Sequence, residues 1–152
     1  SQGIARADGL AVVGWSYGGY AALQSVVTEP NLFRAVIAIA PVTDLERLRE
    51  DRRQWSDFQN VSRYIGNGPH IEEGSPARHA GAIKAPVLMF HGTLDRNVGV
   101  SHARMMDDRI RKAGGSSELI LYEGLDHYLE DSAVRIDMLT RSAAFLAKAL
   151  NP

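Results

Sequence analysis

Cysteine is absent from all 152 residues, which excludes disulfides, thiolate metal sites and a cysteine nucleophile but assigns no compartment. A charge excess is missing as well, since 17 Lys+Arg stand against 18 Asp+Glu. No nucleic acid partner is therefore expected, and the near-neutral balance offers little electrostatic resistance to self-association. No apolar run approaches the length needed to cross a bilayer, so no membrane partner is expected either. The opening residues 1–9 carry no basic-then-apolar targeting pattern. Metal-ligand spacings such as H-E-x-x-H do not occur, and neither metal nor cofactor is expected. What is present, 45% hydrophobic and 23% charged residues, is the composition of an ordinary globular chain of one domain.

The stretch Gly14-Trp15-Ser16-Tyr17-Gly18-Gly19-Tyr20 matches G-x-S-x-G, the nucleophile-elbow pattern. The apolar run before it, residues 10–14, reads as a buried parallel strand, and residues 21–27 after it as a helix. This strand-turn-helix context puts the serine on a sharp, strained turn, with the neighbouring glycines removing β-carbons that would collide with strand and helix. The helix start leaves the Tyr17 amide N–H free to donate to a developing oxyanion.

Three further strands are expected at residues 33–40, 87–90 and 118–122. Helices are expected from Thr43 or Asp44 through Arg53, from Ser75-Pro76 to Ile83, over 101–113 and over 132–150. The segment between Arg53 and Ser75 is the least regular. Strand alternating with helix implies right-handed parallel crossovers, and the whole reads as a partial α/β-hydrolase fold, a mostly parallel four-stranded sheet with flanking helices.

In such a sheet, sites form beyond the carboxyl ends of the strands. Ser16, Asp95 and His127 each follow a strand end, and their order along the chain is that of α/β-hydrolases. A serine hydroxyl is a poor nucleophile at neutral pH, so an imidazole must take its proton and later return it to the leaving group. A buried carboxylate must then hold that imidazole in one tautomer. His127 and Asp95 are read in those roles. The rivals are an Asp95 that caps the helix from Ser101 and an Asp126 that serves as the acid instead. His91, at a strand end, is read as a packing residue.

The serine motif, the segment from His91-Gly92-Thr93-Leu94-Asp95 to Val98, and Tyr122-Glu123-Gly124-Leu125-Asp126-His127 together resemble the catalytic domain of the prolyl oligopeptidase family of serine peptidases. The dipeptidyl-peptidase and acylaminoacyl-peptidase branches look closest. The resemblance implies Ser16 as nucleophile, Asp95 as acid, His127 as base and the Tyr17 amide as one oxyanion donor, acting on a peptide through a covalent acyl-enzyme. It also implies that Trp55, Phe58 and Tyr64 help wall the substrate pocket. Ordinary packing over the sheet is an equal reading of those aromatics. One departure is Tyr128, which follows His127 where the family usually has glycine.

An α/β-hydrolase domain places several strands and helices before the elbow, and a loop among them supplies the second oxyanion donor. Residues 1–152 are therefore expected to be the C-terminal portion of the catalytic domain, without those strands and without a β-propeller, and with weak or absent activity as an isolated chain. The strand at residues 10–14 would then present an open apolar edge. A homodimer through that exposed strand is the corresponding expectation. Two other functions stay open at this point. A carboxylesterase or lipase-like hydrolase acting on acyl esters shares the elbow and triad, and a non-catalytic interaction module would keep the motif as scaffold.

Overall fold

A computed structural model describes residue 6 and residues 9–150; most of the opening segment read for targeting lies outside them. Four strands, β1 (Ala11–Trp15), β2 (Ala35–Ile39), β3 (Val87–Gly92) and β4 (Ser117–Tyr122), form one parallel sheet in the order β1-β2-β3-β4. The four-stranded, helix-flanked α/β architecture expected from the sequence is the one observed. Parallel sheets of this kind are covered on both faces, which is why β2 reads Ala-Val-Ile-Ala-Ile and every residue in it is buried.

Successive side chains of a strand point to opposite faces, and the core divides accordingly. Val36, Ala38, Val87 and Met89 face one side, against Leu23, Val26, Met106 and Ile110. These partners come from α1 (Tyr17–Thr28) and α5 (Ser101–Lys112), joined by the 3₁₀ segment Pro76–Ala82. Ile37, Ile39, Leu88 and Phe90 face the other side, against Leu129 and Met138, the latter on α6 (Ser132–Leu150). The Phe90 ring stacks on Tyr122 at 6.1 Å. β1 has β2 on one side and, among the described residues, no strand on the other; Val13 on it is 55% exposed.

The segment between β2 and β3 folds into three short helices, α2 (Leu45–Asp51), α3 (Phe58–Ile65) and α4 (His70–Glu73). Asp44 caps α2 by accepting from the Arg47 N–H at 3.0 Å. Only the first of the three was expected, and it ends at Asp51 rather than Arg53. Charged contacts hold this region more than periodicity does. Arg78 donates to Asp44 at 2.8 Å and also pairs with Glu72.

His102 joins this region to α5. Its ring is wholly buried, and Nδ1 accepts from the Thr43 N–H at 3.2 Å while the Thr43 hydroxyl donates to the His102 carbonyl at 3.0 Å. Nε2 lies 3.5 Å from Asp51 Oδ2. Burial, with Arg47 acting in the same direction and Asp44 against it, pushes the imidazole down to about 4. An unfolded histidine titrates near ~6.5, so between those values the unfolded chain binds the extra proton. Stability is complete above the unfolded value and falls as pH drops toward 4, by about 3 kcal/mol. Urea titrations across this window should show that slope. His102→Asn, whose Oδ1 can take the place of Nδ1, should flatten it.

Candidate active site

The register brings the carboxyl ends of the strands level: Trp15 pairs with Ile39, Ile39 with Phe90, and Gly92 with Tyr122. Loops leaving β1, β3 and β4 therefore meet at one edge of the sheet.

Ser16 occupies the turn between β1 and α1 with φ 58° and ψ −117°, a conformation that non-glycine residues rarely adopt. Its N–H donates to the Ile39 carbonyl at 2.8 Å, tying the turn to β2, and its own carbonyl accepts the Tyr20 N–H at 3.0 Å. Tyr17 opens the helix, so its N–H has no partner inside α1. A β-carbon on Gly14 would collide with the Gly18 carbonyl and come within 2.7 Å of the Gly19 nitrogen. One on Gly19 would press on the Ile39 carbonyl and Pro41 at 3.1 Å. Gly18 differs from what the motif led us to expect, since nothing lies within 4 Å of its β-position.

Asp95 follows β3. Its Oδ1 accepts the N–H groups of Asn97 at 2.8 Å and Val98 at 2.9 Å. Oδ2 accepts from His127 Nδ1 at 2.7 Å. Its side chain has no solvent exposure. Burial alone would push this carboxyl up, but the hydrogen bonds from His127 and Val98, with the His91 ring beside them, outweigh it and hold the group well below the usual carboxylate range. Asp126, the rival acid, instead accepts the Tyr128 N–H at 2.9 Å. The imidazole therefore meets Asp95 alone of the two.

His127 lies on the loop after β4, and its Nε2 accepts from the Ser16 hydroxyl at 2.9 Å. The ring is thus held at both nitrogens, by a carboxylate on one side and the serine on the other. Several contacts seat this loop. The Trp15 indole N–H donates to the His127 carbonyl at 3.2 Å, and Leu94 N–H to the Leu125 carbonyl at 2.9 Å. Leu129 is fully buried with φ 48°, and Arg135 donates to the carbonyls of Leu129 and Tyr128, each at 3.1 Å. Tyr128 stands edge-on to the imidazole at 5.7 Å.

A cavity of about 480 Å³ opens beside His127, lined by Leu94, Arg96, Asp126, Tyr128 and Glu130 among others. A larger one, about 860 Å³, lies at the opposite end of the strands, beside Pro86 and Ser117, away from the serine. Trp55, Phe58 and Tyr64 do not line the cavity beside His127. Trp55 is 45% and Tyr64 92% exposed, while Phe58 is half-buried. Their segment is nevertheless anchored to the acid loop. Arg52 lies over the Trp55 ring at 5.2 Å and donates to the Asn97 carbonyl at 2.9 Å.

From sequence, Trp15 and Arg52 carry no assigned task, and His91 is read as packing. Trp15 stands inside the serine motif, and His91 is a polar residue ending an otherwise apolar strand; both are visible signals. Among the described residues no cluster of three or more His, Cys, Asp or Glu could hold a metal ion, and no helix is long and apolar enough to cross a membrane.

Comparison with known proteins gives this geometry its context. The chain is 29% identical to dipeptidyl peptidase family member 1 of Caenorhabditis elegans over 79% of its own length, but spans only 14% of that protein. It is 31% identical to human dipeptidyl peptidase 8 over 76% of its length, spanning 13% of that protein. A puromycin-hydrolyzing peptidase of Mycobacterium tuberculosis superposes with a TM-score of 0.87 at 26% identity, over 98% of this chain and 23% of the other. The sequence pattern of the prolyl oligopeptidase family matches residues 1–152, and the chain belongs to that family.

Proposed function

We propose that this chain carries the nucleophile, base and acid of a serine peptidase, with Ser16, His127 and Asp95 in those roles. The observation that carries the reading is the continuous relay from Ser16 Oγ through both ring nitrogens to a buried carboxylate, at 2.9 and 2.7 Å. As Ser16 Oγ attacks a peptide carbonyl carbon, His127 Nε2 takes the hydroxyl proton, and Asp95 stabilises the imidazolium that forms. The carbonyl oxygen becomes an oxyanion facing the Tyr17 N–H. Collapse breaks the C–N bond, and the imidazolium returns its proton to the leaving amine. An acyl-serine ester remains, which water hydrolyses by the same steps in reverse.

Short peptides are the proposed substrates, in keeping with relatives named as dipeptidyl peptidases. The 152 residues supply the triad side of a larger catalytic domain, as the small share of each relative that they span supports. Tyr17 is taken as one oxyanion donor, and a site that works with one donor in place of two loses about a hundred- to a thousandfold in turnover. Turnover by this chain alone is thus weak.

Because turnover is weak, the test should need only the nucleophile. Incubation with a fluorophosphonate followed by intact mass measurement should show one adduct, mapped to Ser16 and absent from Ser16→Ala. An unmodified chain, under conditions that label a full-length relative, would refute the reading. Aminoacyl-anilide and short acyl-ester substrates assayed side by side separate a peptidase from an esterase.

A further inference from the structure

His91 closes β3, and neither its side chain nor that of Asp95 has any solvent exposure. Its Nε2 lies 2.9 Å from the Val98 carbonyl oxygen and 3.2 Å from Asp95 Oδ2. Both neighbours are acceptors, so Nε2 bears a proton. Nδ1 is buried without a hydrogen-bond partner. Were the ring present only for packing, an apolar side chain of similar size would serve without desolvating a nitrogen that finds no partner. The polar end is the part its surroundings use.

That end reaches the carboxylate oxygen that also receives His127 Nδ1–H. The hydrogen-bond donors to Asp95 come from loops: Asn97 and Val98 on one, His127 on another. His91 alone approaches from a strand paired within the sheet. We infer that His91 is a positioning residue for the triad: its Nε2–H donates to the Val98 carbonyl and so fixes the turn that carries Asp95 against the sheet, and His127 keeps Nε2 free to accept the Ser16 proton. His91 does not line the cavity beside His127. Its effect on rate rests on the nucleophile role proposed above for Ser16.

The experiment is the rate of fluorophosphonate labelling of Ser16 in the full chain, for wild type, His91→Leu and His91→Gln. Leucine keeps apolar bulk, whereas the glutamine amide can place an N–H near the former Nε2 position. His91→Leu should lower the rate about tenfold or more. His91→Gln should recover most of it. His91→Leu labelling at the wild-type rate would overturn the inference. Should His91→Leu fail to fold, nitrogen-15 NMR of the wild-type imidazoles decides: a proton on His91 Nε2 supports the inference, and one on Nδ1 overturns it. If the wild-type chain does not label at all, the nucleophile reading fails separately. The His127 Nδ1–H resonance then tests the positioning, which holds if that signal persists in His91→Gln and is lost in His91→Leu, and fails if the two variants behave alike.

Discussion

Asp95→Asn should slow phosphonylation of Ser16 by about a thousandfold or more, although the substitution changes little in size. The carboxylate accepts every hydrogen bond it makes: from the N–H groups of Asn97 and Val98 and from His127 Nδ1–H. An amide has one oxygen to offer them, and its NH₂ must face donors whichever way it turns. If the NH₂ faces His127, the imidazole shifts its proton to Nε2 and can no longer accept from Ser16. If it faces Asn97 and Val98, the turn between β3 and α5 loses two bonds. The second arrangement costs stability, about 1–3 kcal/mol; the first costs rate. Stopped-flow labelling together with urea unfolding distinguishes them. Labelling by Asp95→Asn within about tenfold of wild type, with stability also unchanged, would mean that Asp95 does not orient the base.

Gly92→Ala should have the second-largest effect, at a residue that touches none of the reacting atoms. A β-carbon there would stand 2.5 Å from the Asp126 carbonyl oxygen and 2.8 Å from the Leu125 carbonyl carbon. These are backbone atoms of the histidine loop, which cannot swing aside as the end of a flexible side chain can. The loop must lift away from β3, carrying His127 from Asp95 and Ser16. We expect labelling to fall at least about a hundredfold and stability to fall by about 1–3 kcal/mol. Gly18→Ala is the contrasting case. Nothing lies within 4 Å of its β-position, and alanine in the first turn of α1 should leave stability unchanged or raise it by up to about 1 kcal/mol. Thermal unfolding of the two variants should therefore diverge in sign. Equal destabilisation would show that the glycine of the motif, rather than the space around it, is what matters.

The contrast between these glycines marks where sequence reading reached its limit. A pattern such as G-x-S-x-G treats its two glycines alike, whereas the structure crowds Gly14 and Gly19 and leaves Gly18 open. Steric demand depends on which backbone passes nearby, and that is set by how α1 leans on the ends of β1 and β2. The segment between β2 and β3 was hard to read for a related reason. Its helices α2 and α3 contain no buried residue; Phe58, Val61 and Ile65 recur at three and four along α3, but that short stripe is only half-buried. Ion pairs and the Arg52 contacts help to hold the segment, and a long cationic side chain does not announce its partner.

By itself the sequence determined the strand positions, the α/β class and the chain order of serine, acid and histidine. Continuous apolar runs and the strand-turn-helix pattern are local properties, written in consecutive residues. Only the tertiary structure decided that Asp95 rather than Asp126 meets the imidazole. Only there does Trp15 hold the His127 carbonyl, Gly92 make room for the histidine loop, and His91, read from sequence as packing, turn its one donor to the Val98 carbonyl beside the Asp95 carboxylate. Each of these depends on the register of β1, β3 and β4, which aligns three distant loops to within a hydrogen bond of one another. The pairing that sets it joins residues far apart along the chain.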